Sequence, residues 1–107
     1  MFYPKDMDDE CISLCTAINS IPNLHTLESC CGHGNHPFRI WFLCHNLGYL
    51  HHLLDFIAKS GKSGWMCEAI LTSTGALAFM LSHHAMEDFA DVGELAGFII
   101  CEAEDHL

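Results

Sequence analysis

Apolar residues near the start of the chain recur with the spacing of one face of a helix. Four of them stand at positions i, i+3, i+4 and i+7: Cys11, Leu14, Cys15 and Ile18. This spacing predicts an amphipathic helix. Asp6 is placed to cap it, the acidic residues that follow suit the positive end of its dipole, and Pro22 ends it.

Two pairs of strands are predicted where the sequence changes to short runs of strand-forming residues. Residues 26–31 and 38–44 form the first pair, around a connection that contains glycines and a proline. Residues 65–73 and 76–83 form the second pair, with a tight turn at Thr74-Gly75. Because a hairpin alone cannot bury a face, we expect the two hairpins to join into one antiparallel sheet of four strands.

Two further helices are predicted on either side of the second pair of strands. Asn46 is placed to cap the earlier helix, and Gly61 follows its end. Its predicted buried residues are Leu47, Leu50, Leu54, Ile57 and Ala58. The later helix begins near Met86, and its predicted buried residues are Phe89, Val92, Ala96, Ile99 and Ala103.

The predicted order is helix, hairpin, helix, hairpin, helix, which indicates a single α+β domain over residues 1–107 with helices packed on an antiparallel four-stranded sheet. Half of the chain is apolar and only 17% is charged, so there is enough material for a core. The same composition predicts that a second copy covers part of the surface, and we therefore expect a homodimer.

The charge balance bears on the partners. Fourteen acidic residues against four basic ones give a formal charge of −10, whereas nucleic-acid binding normally requires lysines and arginines to neutralise phosphates. We therefore expect no nucleic-acid partner. No apolar run reaches the roughly 18 residues that span a bilayer, so we expect no membrane partner. The first residues lack the pattern of a signal peptide, which predicts a cytoplasmic location.

The seven cysteines are an odd number, which argues against a closed disulfide framework. In a reducing compartment they are expected to be buried thiols, metal ligands or reactive groups. Cys11 and Cys15 share a helix face and could chelate a metal, but core packing is the role that we expect for them.

Residues 30–36, Cys-Cys-Gly-His-Gly-Asn-His, place soft and borderline metal ligands within one short connection. Zinc takes thiolate and imidazole ligands, usually four, and the two glycines allow such a loop to fold back. Adjacent strand residues point to opposite faces, so we predict Cys31, His33 and His36 as ligands. Water or a distant residue would complete the site. The distant candidates are Cys30, Cys44, His45, His83 and His84.

Two other interpretations of this segment stay open. The cysteines can be partly buried strand residues and the histidines exposed turn residues, in which case the protein is a structural or adaptor domain. Alternatively, an imidazole activates one of the cysteines as a nucleophile toward a small molecule. The candidate catalytic residues are Cys30, for that role, and Glu28, as a base acting on a metal-bound water.

The segment Ser29-Cys30-Cys31-Gly32-His33 resembles the Ser-Cys-small-Gly-Arg motif of the wybutosine-synthesis tRNA methyltransferase family. Residues 54–61 fall at that family's second helix, and Ser63-Gly64 at its following turn. The resemblance implies a similar fold. It also implies an S-adenosylmethionine site near Ser29, Cys30 and Gly32, so an S-adenosylmethionine-binding domain is the alternative to a metal-binding one. His33 stands where the family's motif has arginine.

Overall fold

The computed structural model describes residues 9–30, 38–70, 72, 74–83 and 90–107, with the backbone alone at 9, 10, 28–30 and 90. Within these ranges the elements alternate as an α+β fold, which confirms the predicted class. The elements are α1 (Asp9–Asn19), β1 (Leu24–Cys30), β2 (Phe38–Cys44), α2 (Leu47–Lys59), β3 (Trp65–Ile70), β4 (Ala78–His83) and α3 (Ala90–His106).

The four strands form one antiparallel sheet in the order β1-β2-β4-β3. The predicted four-stranded antiparallel sheet is therefore confirmed. Since β2 and β3 are each antiparallel to β4, they run parallel to one another with β4 inserted between them. The register of β1 against β2 shifts between Thr26 and Glu28, which marks a bulge in this edge strand.

A turn was predicted in each of the two connections, β1 to β2 and β3 to β4, but only the second connection has residues that the structure describes. Residues 31–37, between β1 and β2, lie outside the described part, so the hairpin turn predicted there stays a prediction. Between β3 and β4 the strands leave seven residues, 71–77. The predicted strand ends at residues 73 and 76 are therefore wrong, because β3 ends at Ile70 and β4 begins at Ala78. The Gly75 amide donates to the Thr72 carbonyl at 3.4 Å, which is the hydrogen bond of a β-turn, so a turn does lie at the predicted place within this longer connection.

The sheet has one covered face and one open face. Along β2 the exposure alternates, and Phe38, Ile40, Phe42 and Cys44 are buried in the same core as the helices. The residues between them are only partly buried and are absent from that core. By register, the open face consists of Arg39, Trp41 and Leu43 of β2, Ala78, Met80 and Ser82 of β4, and Met66, Glu68 and Ile70 of β3; of these, only Ala78 and Ser82, both in strand β4, are buried.

Helix α1 buries the residues that its spacing predicts. Cys11, Leu14, Cys15 and Ile18 are all at most 2% exposed, which confirms the predicted face. The helix packs against both β1 and α3. In α3 the predicted residues Val92, Ala96, Ile99 and Ala103 are buried together with Leu95, whereas the predicted start near Met86 and the burial of Phe89 fall outside the described residues.

Helix α2 begins as predicted but presents a different face. The Asn46 side chain accepts a hydrogen bond from the Gly48 amide at 2.9 Å, which confirms the cap. The buried residues are Leu50, Leu53, Phe56 and Ile57. The predicted burial of Leu47, Leu54 and Ala58 is wrong: Leu47 is 58% and Leu54 40% exposed, and Ala58 is also exposed. The larger Phe56 ring takes the core position, which rotates the helix.

Within the described ranges, no helix combines the length and the apolar character that crossing a bilayer requires.

Candidate functional site

The predicted site begins where β1 ends. The backbone of β1 pairs with β2 through Glu28 opposite Trp41, Ser29 opposite Ile40 and Cys30 opposite Arg39. The described residues do not include Cys31, Gly32, His33 and His36. For Glu28, Ser29 and Cys30 they include the backbone but not the side chains. The end of the sheet that carries this loop is therefore described, while the predicted ligands are not.

Helix α1 starts at the same end of the sheet. The Asn19 side chain, at the end of α1, accepts from the Thr26 amide and donates to the Thr26 hydroxyl, both at 2.9 Å. Only residues 20–23 join α1 to β1, so the chain reverses between them. From this contact, Cys11 lies about 12 Å back along the helix and Cys30 about 13 Å forward along the strand. The start of α1 and the end of β1 therefore lie at similar distances from this contact, near the same end of the sheet.

Cys11 does not have the thiol that we predicted for it. It is fully buried and forms a disulfide, whose partner sulfur lies outside the described side chains. Cys15, Cys44, Cys67 and Cys101 keep their thiols. The odd number of cysteines therefore did not exclude a disulfide, because it requires only that one cysteine stay unpaired.

Cys44 and His45 are remote from the loop. They lie at the end of β2 opposite Phe38, about 20 Å away for six residues of strand. The Cys44 thiol donates to the Asn46 carbonyl at 3.3 Å, and the His45 ring packs edge-on against His25 at 5.3 Å. Both were candidate distant ligands for the loop, and they lie at the end of β2 that is farther from it.

His83 lies at the correct end of the sheet but is held by other contacts. It pairs in register with Phe38, the first residue after the loop. Its Nε2 lies 2.9 Å from the Ser63 carbonyl oxygen and must donate to it, because a carbonyl can only accept. The ring also meets Trp65 edge-on at 5.2 Å. His83 therefore positions the chain before β3, and His84, the other distant histidine, lies outside the described residues.

A pocket of about 260 Å³ lies between the end of α2 and strand β3. Burial raises the pKa of the Cys67 thiol in its wall to about 11, so this sulfur is protonated and a poor nucleophile at neutral pH. The pocket is smaller than the usual 300 Å³ or more of a drug-sized ligand site. Its lining residues are Leu54, Ile57, Ala58, Lys62, Ser63, Gly64, Trp65, Met66, Cys67 and Leu81.

The described residues contain no group of three or more histidine, cysteine or acidic side chains placed to hold a metal; the predicted ligands Cys31, His33 and His36 lie outside that search. Sequence reasoning missed the disulfide of Cys11, although it did note that this residue shares a face with a second cysteine.

No family model, no curated protein and no solved structure matches the chain, so the resemblance to the wybutosine-synthesis methyltransferases stays a prediction.

Proposed function

We propose that this protein binds zinc through the Cys-Cys-Gly-His-Gly-Asn-His loop and that Cys11 of α1 supplies the ligand that the loop lacks. The proposed ligands are Cys11, Cys31, His33 and His36, with Cys30 as the substitute for Cys31. Two thiolates and two imidazoles fill a tetrahedral site, which is the pattern of a structural zinc centre.

The observation that carries the proposal is the disulfide of Cys11. Because the chain has seven cysteines and four of them keep their thiols, we infer that the partner is Cys30 or Cys31. A pair of sulfurs that can bond to one another is also close enough to share a metal. With Zn–S bonds of about 2.3 Å, two thiolates of a tetrahedral site lie about 3.8 Å apart.

The positions of Cys11 in α1 and of the end of β1 support the same pairing. Cys11 and the end of β1 lie at similar distances from the Asn19–Thr26 contact, so the helix and the strand bring their cysteines to one end of the molecule. In the cytoplasmic compartment that the sequence predicts, glutathione and thioredoxin keep such pairs reduced. The reduced pair is the form that binds zinc, since thiolates are the ligands.

The proposal is tested by the metal content of reduced protein from which any affinity tag has been removed. We expect stoichiometric zinc in the unmodified protein and loss of zinc in Cys11→Ala and in the double variant His33→Ala, His36→Ala. Protein prepared without reductant, in which Cys11 is held in the disulfide, should bind little zinc.

Cys44→Ala is the matched control. Cys44 is a buried cysteine like Cys11, but it lies at the end of β2 opposite Phe38, so its removal should leave the zinc content unchanged. Absence of zinc from the reduced, unmodified protein would contradict the proposal. Full zinc in Cys11→Ala would exclude the helix as a ligand donor.

A further inference from the structure

The open face of the sheet carries a cation, Arg39, that pairs with no carboxylate of the described residues. In the described residues Lys59 pairs with Asp55 at 3.0 Å, and Lys62 pairs with Asp91 at 3.0 Å and also with Glu94. Arg39 forms no ion pair within that part of the chain. Its Nε is buried and makes no hydrogen bond to any described residue, and its guanidinium carbon lies 5.2 Å from the centre of the Trp41 ring.

An arginine in this setting is prepared for an acidic group. Stacking on an aromatic ring keeps the guanidinium plane fixed, and a carboxylate can then accept two of its N–H groups at once. The buried Nε has lost water without gaining an acceptor in the described residues, so a carboxylate from outside would bind the terminal Nη groups and offset the poorly compensated charge. The chain has a net charge of −10, so acidic groups are abundant on other copies of it.

The same face also carries an exposed carboxylate. Glu68 pairs in register with Met80, and Met80 pairs with Trp41. Arg39 and Glu68 are thus two strands and two residues apart, about 12 Å by standard sheet spacings. The apolar residues between and beside them include Met66, which is 43% exposed, and no helix of the described part belongs to this side of the sheet.

We propose that two copies of this chain pair through their open faces, with Arg39 of each copy binding Glu68 of the other. A two-fold axis that lies between the sheets, midway between these two residues, exchanges them. By the same spacings it brings Trp41 of one copy over Met80 of the other. Contacts between a methionine sulfur and an aromatic ring are favourable, and an isologous interface needs such self-complementarity.

Charge reversal tests the pairing through sedimentation velocity over a range of protein concentrations. Arg39→Glu and Glu68→Arg each place like charges opposite one another at two symmetry-related points. We expect each to weaken the dimer at least about 100-fold. A mixture of the two variants restores both ion pairs in the heterodimer, and the double variant restores them in the homodimer, so both should dimerise like the unmodified protein.

The controls reverse a charge elsewhere. Lys59→Glu on α2 and Glu104→Arg on α3 change the net charge by the same amounts on exposed side chains, and both should leave the dimer intact. Since each single variant is recovered by mixing, misfolding and loss of contact are separable. A monomeric unmodified protein at every concentration, or a mixture that stays monomeric, would overturn the proposal.

Discussion

Gly64 adopts a backbone conformation that only glycine accepts at this point. Its φ is 87°, and a Cβ atom placed there would lie 2.3 Å from Nε2 of His83. The His83 ring cannot easily give way, because it donates to the Ser63 carbonyl and packs on Trp65. The histidine thus fills the space that every other residue type would need for its side chain.

Gly64→Ala should therefore destabilise the fold by about 2–3 kcal/mol, since backbone strain and displacement of the His83 ring add together. Gly61 is the matched control, because it has a similar φ of 79° and no atom within 4 Å of a Cβ. Gly61→Ala should cost only about 1 kcal/mol. Urea unfolding of both variants measures the difference. Equal losses of unfolding free energy would show that the contact with the His83 ring adds nothing to the cost.

Cys67 is a second residue whose surroundings determine its chemistry. Its pKa is raised from 9.0 to about 11, mainly by burial and to a lesser degree by the charges of Cys44 and Glu68. Below pH 9 the thiol is neutral in the folded and the unfolded chain. Above it the unfolded chain ionises first, so stability should fall between about pH 9 and pH 11.

The prediction for Cys67 is slow alkylation by iodoacetamide at pH 8 compared with the exposed Cys101, read by mass spectrometry of the labelled peptides. In addition, Cys67→Ala should show a smaller loss of stability from pH 8 to pH 10.5 than the unmodified protein. Comparable labelling rates at the two cysteines would contradict the burial effect.

At the scale of elements, most of the structure follows from the hydrophobic pattern, and helix α2 shows where the pattern stops being informative. The bounds of β2 and the buried face of α1 agree with the sequence prediction because polar and apolar positions there are distinct. Residues 53–58 of α2 are apolar on two sides of the helix, with Leu53 beside Leu54 and Ile57 beside Ala58. Spacing alone cannot choose between these faces, and packing of Phe56 decides.

The two adjacent leucines of α2 give a direct measurement of this choice. Leu53 is fully buried, whereas Leu54 is 40% exposed. Leu53→Ala should cost about 3 kcal/mol through lost burial and the cavity left behind, and Leu54→Ala should cost less than about 1 kcal/mol. Thermal or urea unfolding compares the pair. A larger loss in Leu54→Ala would mean that the face predicted from sequence is the correct one.

The candidate site was predictable only in part, for a physical reason. The ligand types and the two glycines are local features that spacing reveals. The approach of the start of α1 to the end of β1 depends on a chain reversal and on the Asn19–Thr26 contact, so the role that we propose for Cys11 could not be inferred from the residues next to it in sequence. The open face was equally hidden, because the order of the strands decides which side chains of β2, β4 and β3 become neighbours.

At the scale of the whole molecule, the order of the strands in the sheet affects how the chain folds during synthesis. Strand β4 lies between β2 and β3, yet it is the last of the four to leave the ribosome. Until residue 83 has emerged, β2 and β3 each present a row of unpaired backbone groups, to which a strand of another nascent chain can add. Premature termination before β4 would therefore yield an aggregation-prone fragment rather than a smaller folded protein.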